Sequence, residues 1–548
     1  MFVWRWRLAL QTGVVITGLA VGACGGGDGA PSATTPAAST SVAPTAAPPG
    51  QTGASPASAA PVASLDLASA NVLLTVVPPA PRDFRTGISS VAIGDFNGDG
   101  VGDLLIGLRF GDGPSGSRED AGEAYVIFGN KGLKGEIDLA RDEPGLTIWG
   151  ALAGDDLGFG VAAGDLNGDG IDDVIVGAPG SNGLANVRTD LGEAYVIFGR
   201  RDLGGTVDTL KEEQGFTLMA AEGFARLGTS FAVGDVNGDH VDDLIAGAPF
   251  AGREPGSPPG GHRTPVGEVY VVFGRPGLQG RVDVAKDQQD FTMAGAVEQD
   301  AFGQAVAAGD VNGDGLADII VGARGYDGPD GKNDEAGAVF VYFGSSGLAG
   351  NRGVKDAALT ILGADAGDAL GETLASGDVN GDGIDDVVAV ARSGDGPDNS
   401  RAESGEADVV FGSRGVSGTR DLASGSADAV VYGPEPGSLL GTAAVVKDLN
   451  GDGRGDIVLG APLMTGQGRA LSGVTFVVFG KGLAGKKDLR TSAGGLLFIY
   501  GAAENDVLGT GAAAGDINGD GHPELILMAA ADQGPGQSRG QIYAVDLP

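Results

Sequence analysis

Seven segments of this 548-residue chain place oxygen-bearing side chains at one spacing. Each has the pattern Asp-x-Asn-Gly-Asp-Gly-x-x-Asp with small departures, and the copies begin at Asp95, Asp165, Asp235, Asp310, Asp378, Asp448 and Asp516. Side-chain oxygens fall at positions 1, 3, 5 and 9, and position 7 can add its backbone carbonyl. Calcium takes about six to eight oxygen ligands, so this donor set predicts one calcium ion per loop, up to seven in all.

The predicted ligands are five residues in every loop. In chain order they are Asp95, Asn97, Asp99, Val101 and Asp103; Asp165, Asn167, Asp169, Ile171 and Asp173; Asp235, Asn237, Asp239, Val241 and Asp243; Asp310, Asn312, Asp314, Leu316 and Asp318; Asp378, Asn380, Asp382, Ile384 and Asp386; Asp448, Asn450, Asp452, Arg454 and Asp456; and Asp516, Asn518, Asp520, His522 and Glu524. Position 6 is glycine, which tolerates the positive φ of a sharp reversal, in every copy except at His240.

Two other structures contain similar stretches. A lone Asn-Gly-Asp-Gly sequence fits an ordinary hairpin turn, but seven copies in register favour a metal site. An EF-hand needs a glutamate at position 12 and a helix on each side. Position 12 is apolar in all seven copies and begins no helix-like pattern: Ile106, Val176, Ala246, Val321, Ala389, Leu459 and Leu527. The EF-hand and its helical dockerin relative are therefore excluded.

The loops recur at intervals of 70, 70, 75, 68, 70 and 68 residues, which indicates repeated structural units. Each unit has the pattern of four short strands, and the strand before the loop consists of small residues that suit a crowded central axis. We therefore predict an all-β fold, a seven-bladed β-propeller of four-stranded blades over residues 64–548. An open solenoid of stacked repeats is the alternative.

The two ends of this region favour a closed ring. The last repeat stops after its third strand, in GQIYAVDLP, while LDLASANVLLTVV near the start resembles the segment that carries a fourth strand elsewhere. We expect the N-terminal and C-terminal strands to share one blade, which removes the exposed sheet edges of an open ring.

The repeats resemble FG-GAP repeats, as in the integrin α-subunit propeller and its bacterial relatives. The resemblance covers about residues 64–548 and is carried by Phe159-Gly160, the loop 165–173 and Gly177-Ala178-Pro179, with echoes at 247–249 and 460–462. Gly-Ala-Pro is replaced at 107–109, 322–324 and 528–530. The family resemblance implies calcium in the loops between first and second strands, on one face, and ligand capture on the opposite face.

The N-terminus has the pattern of an export signal. Arg5 and Arg7 precede an apolar run over 8–21, and Val21-Gly22-Ala23-Cys24 resembles the bacterial lipobox. We predict a lipoprotein signal peptide at 1–23, lipid attachment at Cys24, and a disordered linker rich in Ala, Pro, Ser, Thr and Gly at 24–63. The protein is then exported and anchored to the bacterial cell envelope, at the outer membrane or the cell surface. An ordinary secretory signal and an uncleaved anchor are the alternatives.

The charge and composition of the chain argue against several classes of function. The net charge of −37 argues against nucleic acid as a partner, and with three histidines a histidine-based triad or zinc site is improbable. We expect a binding or adhesion module with a protein or glycan ligand, membrane contact through the lipid anchor only, and no catalysis. Acidic insertions offer Asp112, Asp327 and Asp395 as ligand contacts, with solvated turns as the alternative. A carbohydrate- or lipid-active hydrolase or lyase using surface carboxylates is the second hypothesis.

Overall fold

A computed structural model describes residues 63–70, 72–79, 88–183, 189–252, 265–492, 494–530 and 539–547. The predicted signal peptide, Cys24 and the linker up to residue 62 lie outside the described residues, as does most of the long insertion of the third repeat. The first strand begins at Ala63, one residue before the predicted boundary. No helix in the described part of the chain is both long and apolar enough to cross a membrane.

The described residues form seven small sheets arranged in a ring, which confirms the β-propeller. From the innermost strand outward, the sheets are β3 (Ile88–Gly94), β4 (Asp103–Leu108), β5 (Glu123–Ile127), β7 (Leu146–Trp149) and β11 (Gly205–Asp208) in blade one; β8 (Val161–Gly164), β9 (Asp173–Ala178), β10 (Glu193–Ile197), β12 (Phe216–Met219) and β16 (Gly280–Asp283) in blade two; β13 (Ser230–Gly234), β14 (Asp243–Ala248), β15 (Glu268–Val272), β17 (Phe291–Ala294) and β21 (Gly350–Gly353) in blade three; β18 (Phe302–Gly309), β19 (Asp318–Ala323), β20 (Ala338–Tyr342), β22 (Leu359–Leu362) and β26 (Gly418–Asp421) in blade four; β23 (Thr373–Gly377), β24 (Asp386–Ala391), β25 (Glu406–Val410), β27 (Ala429–Tyr432) and β31 (Gly485–Asp488) in blade five; β28 (Ala444–Lys447), β29 (Asp456–Ala461), β30 (Val474–Val478), β32 (Leu496–Tyr500) and β1 (Ala63–Asp66) in blade six; and β33 (Leu508–Gly515), β34 (Glu524–Ala529), β35 (Gln541–Val545), β2 (Leu74–Val77) and β6 (Gly135–Asp138) in blade seven. Short 3-10 turns lie at Pro114–Gly116, Thr209–Lys211, Val284–Lys286, Val354–Asp356, Pro397–Asn399 and Leu422–Ser424.

Each blade contains the four predicted antiparallel strands and one strand that the sequence did not reveal. This fifth strand comes from the following repeat and pairs in parallel with the fourth strand, as β11 does with β7 from Gly205 opposite Leu146 to Asp208 opposite Trp149. Every blade is therefore bound to the next through backbone hydrogen bonds as well as through side-chain packing.

In four blades, an arginine from the loop between the second and third strands forms an ion pair with an aspartate of the fifth strand. Arg118, in the loop between the second and third strands of blade one, donates to Gly150 O at 2.7 Å and pairs with the buried carboxylate of Asp208 at 2.7 Å. The corresponding pairs are Arg401 with Asp488, Arg469 with Asp66, and Arg539 with Asp138. The fork of donors on arginine suits a carboxylate, so each pair holds two repeats together.

The ring is closed by both ends of the chain, as predicted. Strand β2 supplies the fourth strand of blade seven by pairing antiparallel with β35, and Leu74 lies opposite Ala544. Strand β1 pairs in parallel with β32 and supplies the fifth strand of blade six. The N-terminal segment is thus bound into two neighbouring blades.

The apolar core lies between blades. One cluster combines Val126 and Ile148 of blade one with Val176 and Tyr195 of blade two, all almost completely buried. The first strands of successive blades contact each other around the whole ring, which explains why alanine, glycine and serine predominate in them.

The sequence resemblance misplaced one signature pair. The structure shows that Leu157-Gly158 of blade two, and not Phe159-Gly160, corresponds to Phe302-Gly303 of blade four. Leu157 and Phe302 are fully buried, and the glycines that follow them have φ of 90° and 84°. A Cβ on Gly158 would lie 2.6 Å from Glu123 O, so this position needs glycine on two grounds.

Candidate metal centre and opposite face

The seven acidic loops all connect a first strand to a second strand, so they lie together on one face of the ring. In blade two, Asp165 at position 1 shapes the loop. Its Oδ1 accepts hydrogen bonds from the backbone N–H groups of Gly168 at 2.7 Å and Asp169 at 3.1 Å, and its Oδ2 accepts from Gly170 at 2.7 Å. This carboxylate therefore holds the loop in a tight turn around itself.

The carboxylate at position 9 connects each loop to its blade through hydrogen bonds. The Asp173 carboxylate is fully buried and accepts from Leu166 N at 3.0 Å, Asn167 Nδ2 at 3.2 Å and Gly199 N at 2.8 Å. Because Gly199 follows the third strand, one carboxylate links the loop to two strands. Burial raises the pKa of Asp173 to about 7, with the neighbouring Asp165 and Asp169 adding to the shift.

The same arrangement recurs in every loop. Burial raises the pKa of the position-9 carboxyl to about 6 in Asp456 and to about 7 in the others: Asp103, Asp173, Asp243, Asp318, Asp386 and Glu524. The positive φ expected at position 6 is present in every loop, including at His240, which adopts φ of 67° where the other loops have glycine. The geometry of the acidic loops is therefore a repeated feature of the chain.

Neighbouring loops are bonded to one another. In blade two, the backbone N–H of Asp172 at position 8 donates to Asp95 O of blade one at 3.1 Å, and Asp172 Oδ2 accepts from Asp95 N at 2.9 Å. The side chain of Ile171 covers Gly98 of the preceding loop. Backbone bonds of this kind join six of the seven neighbouring pairs, including the pair that closes the ring through Gly102 N and Asp516 O at 2.8 Å.

The seventh pair has no such bond. Position 8 of the last loop is Pro523, which has no N–H to donate to Asp448 O. A Cβ on Gly451 of the sixth loop would also meet no atom within 4 Å, whereas Gly98 in the first loop is covered by its neighbour. The junction between loops six and seven is thus the least connected part of this face.

The donor chemistry of the loops fits calcium. All predicted ligand atoms are oxygens, and in the seventh loop the carboxylates of Asp516, Asp520 and Glu524 lie within 4.8 Å of one another. Among the described residues, this is the one group of three acidic or imidazole side chains that close together. In every loop the position-9 carboxylate accepts a hydrogen bond from the position-3 amide nitrogen, so the amide oxygen remains as the ligand atom.

The predicted ligand-contact residues have a structural role on the opposite face. Asp327 Oδ1 accepts from Glu335 N at 2.8 Å, and Asp327 O accepts from Asn333 N at 3.0 Å. Asp395 and Asp112 bond in the same way to the backbone N–H groups eight residues further on. These three carboxylates close the acidic insertions, and the structure does not bring them into one cluster.

A cleft of 660 Å³ opens between blades five and six on this face. Phe498 and Tyr500 on the fourth strand of blade six line it, and the ring of Phe498 packs edge-on against Phe476 at 4.8 Å between centroids. Gln467 and Arg490 supply exposed polar groups to its lining. Its lining contains one carboxylate, that of Glu435, so this cleft does not present the carboxylate pair of a glycosidase.

The sequence matches the FG-GAP repeat family over residues 88–127, 157–197, 227–272, 302–342, 440–471 and 508–545. The chain carries FG-GAP repeats. Each matched segment includes an acidic loop, and most of them extend through the third strand of their blade. Blade five has the same loop and strands outside these segments, and Val390 occupies the position of Gly177 in blade two. The structure therefore shows a seventh unit with a divergent sequence.

Proteins of similar sequence include integrin alpha subunits and a phospholipase D. Integrin alpha-PS2 of Drosophila melanogaster is 32% identical over 231 residues, which are 40% of this chain and 14% of that protein. Phosphatidylinositol-glycan-specific phospholipase D of Bos taurus is 31% identical over 211 residues, which are 37% of this chain and 23% of that protein. The chain thus spans less than a quarter of either relative. A rhamnogalacturonan lyase of Bacillus licheniformis aligns with a TM-score of 0.37 at 11% identity, covering 84% of this chain and 72% of that one.

Proposed function

We propose that this chain is a calcium-stabilised propeller that binds a protein or glycan ligand on the face opposite its metal loops. The observation that carries the proposal is the contrast between the faces. One face repeats a single oxygen donor set in seven loops, whereas the other has loops that differ in length and sequence. A scaffold needs uniform geometry, and specific recognition needs local variation.

Calcium would be held by positions 1, 3, 5 and 9 and by the carbonyl of position 7. When bound, it supplies positive charge to a face on which each loop collects three carboxylates at positions 1, 5 and 9. The bound ion would stabilise the ionised position-9 carboxylate most, because burial alone favours the protonated form of this group. Metal binding to the folded chain then adds directly to the free energy of unfolding.

Export and a lipid anchor at Cys24 belong to the same proposal. The charged start, apolar run and small-residue cleavage site before the single cysteine support them. The linker would then hold the propeller away from the membrane. Cys24→Ser is expected to move the protein from the membrane fraction to the soluble exported fraction, and identical partitioning of the variant and the parent contradicts the anchor.

We propose binding and not catalysis because the cleft on the variable face has one carboxylate in its lining. Its partly exposed aromatic rings with nearby amide and guanidinium groups suit a sugar ring or a protein side chain. The test is to screen the purified calcium-loaded chain on glycan and protein arrays. Capture of an identified ligand is then compared between Gln467→Ala/Arg490→Ala, Asp327→Ala/Asp395→Ala and the parent.

Both pairs of substitutions lie on the proposed binding face, so we expect at least one pair to weaken capture without lowering the melting temperature. The control is Asp310→Ala on the loop face, which is expected to lower the melting temperature first. Capture that survives both pairs but is lost after substitutions confined to the loop face contradicts the assignment of the binding face.

A further inference from the structure

A buried hydrogen bond between a tyrosine and a carboxylate recurs on the third strand of several blades. In blade two, Tyr195 OH donates to Glu193 Oε2 at 2.7 Å, and Ser181 Oγ donates to the same oxygen at 2.7 Å. Tyr125 and Tyr270 bond to Glu123 and Glu268 in the same way. Each tyrosine lies in a seam between two blades, so this bond supplies a donor to a carboxylate that is largely removed from water.

Blade five has lost this donor. Its third strand β25 carries Glu406 and, two residues later, Asp408 in place of the tyrosine. The side of the strand that carries Tyr195 in blade two faces the preceding blade, so Asp408 faces the seam with blade four. Glu406 is 9% exposed and Asp408 is 5% exposed. Gly394 occupies the position of Ser181, and no described residue donates a hydrogen bond to either carboxylate.

The surroundings of this pair are apolar or acidic. Blade four contributes Val339 and Ile361 to the seam, and the loop after β22 contributes Asp365 and Asp368. Asp368 is 4% exposed.

The basic group whose charge lowers the pKa of both carboxyls lies on the neighbouring fifth strand. Lys486 of β31 is exposed to solvent, and its Nζ lies 5.8 Å from the ring centroid of Tyr432. Tyr432 lies opposite Glu406 in the sheet. Three largely buried acidic groups therefore share this seam, and Lys486 remains in water. Arg420 of β26, opposite Ile361, is a half-buried basic residue on the blade-four side.

The physical consequence depends on pH. Burial raises the pKa of both Glu406 and Asp408, the negative charge of Asp368 raises it further, and burial raises the pKa of Asp368 itself to about 7. Carboxyl groups in the unfolded chain have pKa values of about 4. Above that pH, the folded seam therefore binds more protons than the same residues bind in the unfolded chain. The stability that it contributes is fully present below about pH 4 and is lost as the pH rises through the raised values.

We propose that the seam between blades four and five is a pH-sensitive joint, which is closed when Glu406 and Asp408 are protonated and loosens locally as they ionise. Protonated carboxyls can donate as well as accept hydrogen bonds, whereas two carboxylates on adjacent same-side positions repel each other in a medium of low polarity. This role is independent of the metal loops and of the proposed ligand.

The test is hydrogen exchange followed by mass spectrometry on the full chain in constant excess calcium, at pH 5.5 and pH 8.5, with rates corrected for intrinsic exchange. In the parent, protection of peptides from β22 and β25 is expected to fall by at least about tenfold at the higher pH, since one pKa unit corresponds to a factor of ten. Asp408→Tyr restores the residue found in blade two and is expected to remove this fall. Peptides from β10 serve as the internal control.

Asp408→Asn is the second variant, because it cannot ionise and keeps the size of aspartate if tyrosine does not fit. A pH-dependent loss of protection of equal size in the parent and in both variants overturns the proposal. An equal loss in β10, where Glu193 keeps its tyrosine, also overturns it, because the effect is then not specific to this seam.

Discussion

The two faces of the propeller are built from the same repeats, but the loops are uniform on one face and variable on the other. On the loop face, positions 1, 5 and 9 are acidic in all seven loops, and their backbone groups bond to neighbouring loops at six junctions. On the opposite face, the connections between second and third strands range from residues 530–540 in blade seven to 249–267 in blade three. Uniform chemistry on one face allows the other face to vary without loss of the fold.

The largest effect is expected from breaking the ring that supports both faces. Deletion of residues 64–78 removes β2 and most of β1, and with them Leu67, Leu74 and Val76, which are at most 6% exposed. Burial of each is worth about 1.5–3 kcal/mol, so we expect a loss of at least about 5 kcal/mol and an exposed edge in blade seven. Thermal melting of this variant and of a deletion of 25–60 measures the difference. Equal melting temperatures would show that the N-terminal strands do not close the ring.

An intermediate effect should distinguish the carboxylates of the two faces. Asp173→Ala leaves the buried N–H of Gly199 without an acceptor, at about 1–3 kcal/mol, and removes a predicted metal ligand. Asp327→Ala removes one acceptor from an exposed loop and is expected to cost about 1 kcal/mol or less. Urea unfolding of both variants in calcium buffer measures this order. A reversed order contradicts the assignment of the loop face as the scaffold.

The smallest effect is expected at the one unbonded junction of the loop face. Pro523→Ala supplies the missing N–H, which is worth about 0.5–1.5 kcal/mol, partly offset by about 0.4–1 kcal/mol for the lost rigidity of proline. The mirror variant Ala317→Pro removes the N–H that donates to Asp235 O at 3.0 Å and should be destabilising. Melting temperatures of the pair are compared with the parent. A stabilising Ala317→Pro would show that these bonds do not hold the loops together.

The sequence predicted those features whose residues are contiguous. The acidic loops occupy nine consecutive residues, and four strands per blade show alternating or continuous apolar patterns, so both were found. The fifth strand was missed because segments such as 205–208 are short and carry no apolar pattern. The pairing of Arg118 with Asp208 joins residues 90 positions apart, for which a single sequence gives no signal.

Blade five shows a further limit of prediction from the sequence. The change from Glu-x-Tyr to Glu-x-Asp at 406–408 is visible in the sequence, but its importance depends on the facing surface of blade four. Likewise, Asp112, Asp327 and Asp395 were predicted as ligand contacts from the charge of the acidic insertions and the variation of these loops between blades. Their hydrogen bonds to backbone N–H groups within the same loop appear only in three dimensions.

The most direct test of the account is the thermal melting of the purified chain, first in excess calcium and then after exhaustive chelation, with the bound metal counted by elemental analysis. If the loop face is a calcium scaffold, several calcium ions, up to seven, are bound per chain. Their removal then leaves three carboxylates without a counter-charge in each emptied loop and lowers the melting temperature strongly. A chain that contains no calcium and melts at the same temperature in excess chelator contradicts the account.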